Sequence, residues 1–194
     1  MTENAKRIFE VIFARRSIRR FIEDKYVEKE KIIKLLEAGM AAPSACNLQP
    51  WEFIVVSEKE NLERLINSTQ AGKISAPLAV IVCANTKNIP WDTQGWMIDC
   101  SAAVENMMIA ATAMGLGSVW VGSHDENFIR KSFNVPKNIK VMNMVYFGYP
   151  DEIKPSGTRY AEDAVYWETY DPSRKRSMRT MEMLSDLSVK PVQL

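Results

Sequence analysis

The sequence predicts an α+β fold, with a mixed, mainly antiparallel central sheet wrapped by helices. Helical and strand periodicities alternate along the chain, with the helices clustered early. Residues 78–84 are apolar on both faces, as a strand central in its sheet must be. Residues 97–114 are rich in Ala and Met and carry only Asp99 and Glu105 as charges, so this helix is apolar nearly all round and buried on every side. In a chain of 194 residues that much burial calls for another subunit over part of the helix, so a homodimer is expected.

The elements follow in order. Residues 4–14 place Ile8, Phe9, Ile12 and Phe13 on one face of an amphipathic helix. A second helix spans 28–41, with Ile32, Ile33, Leu35, Leu36 and Met40 at three- and four-residue spacing. Residues 53–56 read as a short β-branched strand, 60–67 as a helix and 78–84 as the central strand. Residues 85–96 are polar and carry Trp91 and Trp96, a surface loop suited to be a lid or an interface patch. After the long helix, Gly115 and Gly117 supply its stop. A strand over 118–122, a short helix over 125–133 and a strand over 141–147 complete the fold, ending at the Gly148-Tyr149-Pro150 turn. Beyond 150, Tyr160, Tyr166, Trp167 and Tyr170 mark an extended segment with aromatic anchors. A basic tail from Asp171 reads as a helix on a partner or as disorder.

Composition narrows the function classes. Hydrophobic residues make up 46%, enough for a core, and 25 basic against 24 acidic residues leave a net charge of +1. Such a chain has no global field for nucleic acid or anionic membrane, so neither is expected as a partner. Cys46, Cys83 and Cys100 are odd in number and widely spaced, which fits a reducing compartment and no metal site. With no signal peptide in the first 16 residues and no apolar run of spanning length, a soluble cytoplasmic protein is expected.

Two stretches stand apart from the fold. Arg15-Arg16-Ser17-Ile18-Arg19-Arg20-Phe21 crowds four arginines into six residues, whose repulsion an anion would relieve. Guanidinium forks match phosphate oxygens in pairs, with Ser17 as a further donor. The alternative is a solvated basic helix end. Ala42-Pro43-Ser44-Ala45-Cys46-Asn47-Leu48-Gln49-Pro50-Trp51-Glu52-Phe53 joins a helix to a strand through two prolines. Its Ser44, Asn47 and Gln49 suit the edge of a planar polar ligand, or serve only the turn.

Together these stretches, with Gly115-Leu116-Gly117-Ser118 and Gly148-Tyr149-Pro150 in order after them, resemble the FMN-dependent nitroreductase family over roughly residues 5–170. The resemblance implies a nitroreductase-like intertwined homodimer with FMN sites at the interface. It matches Arg15, Arg16, Ser17 and Arg19 to the cofactor's phosphate end. Pro43, Ser44, Ala45 and Asn47 come to the flavin from the other subunit. Gly122 and Ser123 supply N–H groups near its N5, and Arg159 is matched to a late phosphate arginine; Gln70 or Lys73 reaches the ribityl or pyrimidine edge. The activity implied is NAD(P)H-driven reduction of nitroaromatics, quinones or related small-molecule acceptors by a ping-pong mechanism. A flavin-binding or sensing protein with little turnover, or a dehalogenase, flavin reductase or flavin-consuming branch, stands as the alternative. The flavin carries the chemistry, so no residue is assigned as catalytic, and His124 borders the site or is structural. Residues 1–170 form the expected domain, with 171–194 an arm or tail.

Overall fold

The structure, a computed structural model, describes residues 1–69, 74–87, 89, 94–155 and 162–175. Two compact units divide the chain, Met1–Ser156 and Gly157–Leu194. In the first, α1 (Glu3–Ala14), α2 (Lys29–Met40), β1 (Trp51–Val56), α3 (Lys59–Asn67), β2 (Leu78–Asn85), α4 (Gly95–Ala113), β3 (Gly117–Val121), α5 (Glu126–Ser132) and β4 (Ile139–Gly148) follow one another. The four strands form one antiparallel sheet in the order β1-β2-β4-β3. Its mixed character comes from Ser17, which forms a parallel bridge to Ser118 beside β3.

The sheet divides two cores. On one side α2 and α4 pack on Leu78, Val80, Val82, Val145 and Phe147. On the other, Leu62 and Leu65 of α3 and Ile129 of α5 meet Ile81, Met144 and Tyr146. The doubly apolar pattern of β2 thus means what it predicted: its residues alternate between two apolar layers, and β1 and β4 flank it. Among the described residues no helix is long and apolar enough to cross a membrane.

Three expectations change. The apolar face of α1 forms, but no residue of that helix is buried; Ile8 is 59% exposed and Phe13 44%. Its face is apolar for something other than this chain's core. The long helix α4 buries seven residues, while Met97 and Ile98 of its first turns stand exposed, Ile98 at 73%. Trp96 is no loop aromatic: it belongs to the first turn of α4 and packs half-buried on that side's core, while Trp91 lies outside the described residues.

In the second unit the described residues hold a 3-10 turn, Glu162–Ala164. Arg174 closes it by donating to Val165 O at 2.6 Å and Glu162 O at 2.7 Å. Tyr166 and Tyr170 stack with ring centroids 4.4 Å apart. The tail beyond Lys175 lies outside the described residues.

The stop of α4 is read correctly. Gly115 takes φ +75°, and Leu116 N–H returns to Ala111 O at 2.8 Å, the glycine-dependent end of a helix. Gly117 has another task. It pairs with Gly148 across β3 and β4, and the two make a low spot on which Ile18 and Phe21 sit. A Cβ on Gly117 would lie 2.9 Å from Ile18; one on Gly148 would lie 2.9 Å from Phe21 and 2.7 Å from the ring of Pro77. Gly148→Ala is therefore expected to destabilise the chain by about 1–3 kcal/mol in denaturant unfolding, the cost of overpacking. Gly115→Ala, with open space around it, should cost about 1 kcal/mol through its φ alone.

Candidate functional site

The arginine segment leaves α1 as extended chain rather than as a helix end. Arg15 caps the helix at ψ 128°, and Ile18 N–H then donates to Ser118 O at 2.9 Å. Ile18 and Phe21 are buried, so the cations between them are held by two apolar anchors. Farther along, Asp151 N–H donates to Arg20 O at 3.0 Å and Ile22 N–H to Tyr149 O at 2.9 Å.

Part of the expected repulsion is answered from within the chain. Arg15 Nε lies 3.3 Å from Glu105 Oε1 on α4, a half-exposed pair. The Arg16 guanidinium donates to Pro155 O, and Lys154 Nζ donates to Ser17 O at 2.7 Å. Glu152 Oε1 accepts the backbone N–H of Arg19 at 2.6 Å. Arg19 is exposed, and its guanidinium forms no ion pair among the described residues. Two carboxylates against Arg15, Arg16, Arg19, Arg20 and Lys154 leave a local cationic excess in a chain of net charge +1.

The loop from Pro43 to Pro50 is a strained, over-determined turn. Cys46, Asn47 and Gln49 all take left-handed backbone, at φ 51°, 55° and 48°. Side chains rarely adopt that region, and each instance costs about 1 kcal/mol or more. Asn47 N–H reaches Ser44 O and Gln49 N–H reaches Ser44 Oγ, both at 3.0 Å. Ser44 therefore serves the turn, with its own O–H still a donor. The loop is tied to α4 as well: Ala45 N–H donates to Oδ1 of the buried Asp99 at 3.0 Å. Pro43, Ala45, Cys46 and Asn47 face outward.

At the end of β3, Gly122 and Ser123 are exposed, and the position of a Cβ on Gly122 borders open space. His124 Nδ1 lies 3.0 Å from Gly122 O, and His124 bridges to Thr69. Its ring is thus part of the turn that presents Gly122. Arg159, Gln70 and Lys73 lie outside the described residues.

The remaining thiols take no part. Burial pushes Cys83 up to about 11 and Cys100 up to about 12, so both stay protonated.

Helix α4 therefore touches both stretches, Asp99 holding the loop and Glu105 the first arginine. Six residues apart on one helix, they are separated by roughly 9 Å along its axis. These two residues, the only charges in an apolar helix, were not among the expected site residues. A charge buried in such a helix, as Asp99 is, needs a partner.

The nitroreductase family model matches residues 12–77 and 67–149. The chain belongs to the nitroreductase family. A relative from Archaeoglobus fulgidus, provisionally named an NADH dehydrogenase/NAD(P)H nitroreductase, is 37% identical over 169 residues, covering 82% of this chain and 97% of its own. The solved FMN-dependent nitroreductase of Clostridium difficile R20291 superposes with a TM-score of 0.75 at 31% identity, covering 84% of this chain and 99% of its own. A protein from Desulfovibrio desulfuricans, provisionally named a nitroreductase and solved in complex with FMN, gives 0.76 at 28% identity, covering 84% of this chain and 98% of its own.

The Asp99 contact yields an expectation on stability. Removing a hydrogen bond to a charged group costs about 1.5–3 kcal/mol, so Asp99→Ala should lose about that much and speed hydrogen exchange at Ala45. Asp99→Asn keeps an acceptor and should lose less.

Proposed function

We propose that this nitroreductase-family chain is an FMN-dependent oxidoreductase. It draws electrons from NAD(P)H and passes them to nitroaromatics, quinones or related acceptors in alternation at one shared site. The observation that carries this is the pinned arginine segment. Extended chain, two buried anchors and internal carboxylates fix Arg15 to Arg20 in place while Arg19 stays exposed. The donor set fits the group: guanidinium forks and the Ser17 hydroxyl suit a phosphate. The open space at Gly122 leaves room for a flat ring against backbone.

Bound FMN supplies the two-electron chemistry. The residues bind and orient. Arg15, Arg19 and Ser17 would neutralise and align the phosphate, with Arg16 beside them. The N–H groups of Gly122 and Ser123 would serve the flavin ring. The loop at 43–47, rigid because its strain is over-determined, closes the site from a second copy of the chain.

That second copy is supported by three features: the uncovered apolar face of α1, the exposed Met97 and Ile98, and an apolar α4 that reaches both stretches. An obligate interface of this kind should exceed about 2,000 Å². The three free thiols, two of them buried and inert, suit a cytoplasmic setting.

The test is spectroscopic. Purified protein should be yellow, bleach with NADH or NADPH, and recolour with a nitroaromatic or quinone. Protein that takes up no FMN contradicts the reading; bound flavin that neither nicotinamide reduces points instead to a flavin-binding or sensing role. Arg15→Ala and Arg19→Ala should each weaken FMN binding more than about tenfold, since a lost charge-assisted hydrogen bond costs roughly 1.5–3 kcal/mol. Arg64→Ala, on an exposed pair with Glu60, should leave it unchanged.

A further inference from the structure

We infer that Glu152 is a positioning residue for the phosphate end of this site, an internal anion that holds the backbone of Arg19 and Arg20 so that their side chains are presented in fixed directions. The inference rests on reading Arg15 to Arg19 as the phosphate segment. Its own evidence is separate, and lies in how Glu152 is attached.

A carboxylate among five cations would be expected to meet a guanidinium fork face to face. Glu152 does not. Its Oε1 accepts the N–H of Arg19 at 2.6 Å and of Arg20 at 3.2 Å, while the nearest guanidinium contact, Oε2 to Arg20 Nε, is 3.8 Å. Two successive amides on one oxygen form an anion-binding nest, and the nest fixes the backbone from which both side chains depart. The Glu152 side chain is only 13% exposed, whereas Arg20's is 72% exposed. The carboxylate is therefore built into the fold, and the arginine side chain is not.

Lys154 completes the arrangement. Its Nζ lies 3.1 Å from Glu152 Oε1 and donates to Ser17 O at 2.7 Å, so one ammonium joins the carboxylate to the other end of the segment. It also answers a difficulty: an anion at a phosphate site repels the ligand unless its charge is neutralised nearby.

The groups facing Glu152 are Arg19, Arg20 and Lys154, with Asp151 adjacent in sequence. Burial opposes its ionisation, but the Arg19 N–H, Lys154 and the Arg20 N–H outweigh it and hold the carboxyl below its ordinary 4.5. The negative charge in the nest is therefore fully present above that value and lost as pH falls through the lowered one, while the carbonyl oxygen remains as an acceptor.

The sign of two substitutions separates positioning from bare charge. Glu152→Gln keeps a carbonyl for both amides and removes the negative charge; Glu152→Ala removes both. Titration of flavin-free full-length protein with FMN at neutral pH, followed by flavin fluorescence, should show Glu152→Ala weakened about tenfold or more and Glu152→Gln within about threefold of wild type. Hydrogen exchange at the Arg19 and Arg20 amides, measured before FMN is added, should rise in the alanine variant and not in the glutamine variant. Glu60→Ala is the surface-carboxylate control. Alanine and glutamine variants that both bind more tightly would make Glu152 a repulsive charge and overturn the inference. So would an alanine variant with freed amides and unaltered affinity. Wild-type protein that takes up no FMN overturns the phosphate reading itself, a result told apart by being seen before any variant is made.

Discussion

The burial of α4 is the constraint on which the rest of the structure depends. Cys100, Ala103, Val104, Met107, Met108 and Ala111 lie in the core against the sheet. At about 25 cal/mol per Å² of apolar surface, burying a face of that length is among the larger stabilising terms available to a domain of this size. Because α4 cannot shift without opening that core, the two charged groups it carries become fixed points. Asp99 holds the loop and Glu105 meets Arg15. The Arg15 pair, half exposed, contributes at most about 1 kcal/mol to stability. Its value is positional.

Around that helix, the site is built from conflicts that the fold resolves locally. Arginines that repel one another are threaded between buried Ile18 and Phe21, and the Gly117–Gly148 pair leaves room for both anchors. A loop with three left-handed non-glycine residues is held by Ser44, by Asp99 and by the ladder bond from Asn85 N–H to Pro50 O at 2.8 Å. Strain and charge concentrated in this way, and compensated from the neighbouring elements, are the pattern that the proposed binding site would require.

Much of this was legible in the chain. The period of Ile32, Leu35 and Leu36, the double face of 78–84 and the stop at Gly115 each follow from local chemistry, and the elements fall within a few residues of expectation. What was not legible depends on partners distant in sequence. Gly117 reads as part of a helix stop, because its role appears only when Ile18 packs on it. Trp96 reads as loop because the start of α4 carries no side-chain cap to announce it. Glu152, after a Gly-Tyr-Pro turn, looks like a solvated carboxylate until the backbone of Arg19 arrives. The apolar face of α1 was read correctly as a face; what covers it is not a local property.

In the proposed assembly each site is shared, with the arginines of one chain meeting the loop of another. The most direct measurement is complementation in a purified heterodimer of two differently tagged chains, one carrying Arg19→Glu and the other Asn47→Val, a β-branched residue ill suited to φ 55°. If sites are shared, both defects fall in one site and the other is wild type. Two homodimers that hold no FMN should then yield a heterodimer that holds about one FMN at wild-type affinity, by the linkage of flavin to assembly. A heterodimer as empty as its parents would place arginines and loop in the same chain and contradict the account.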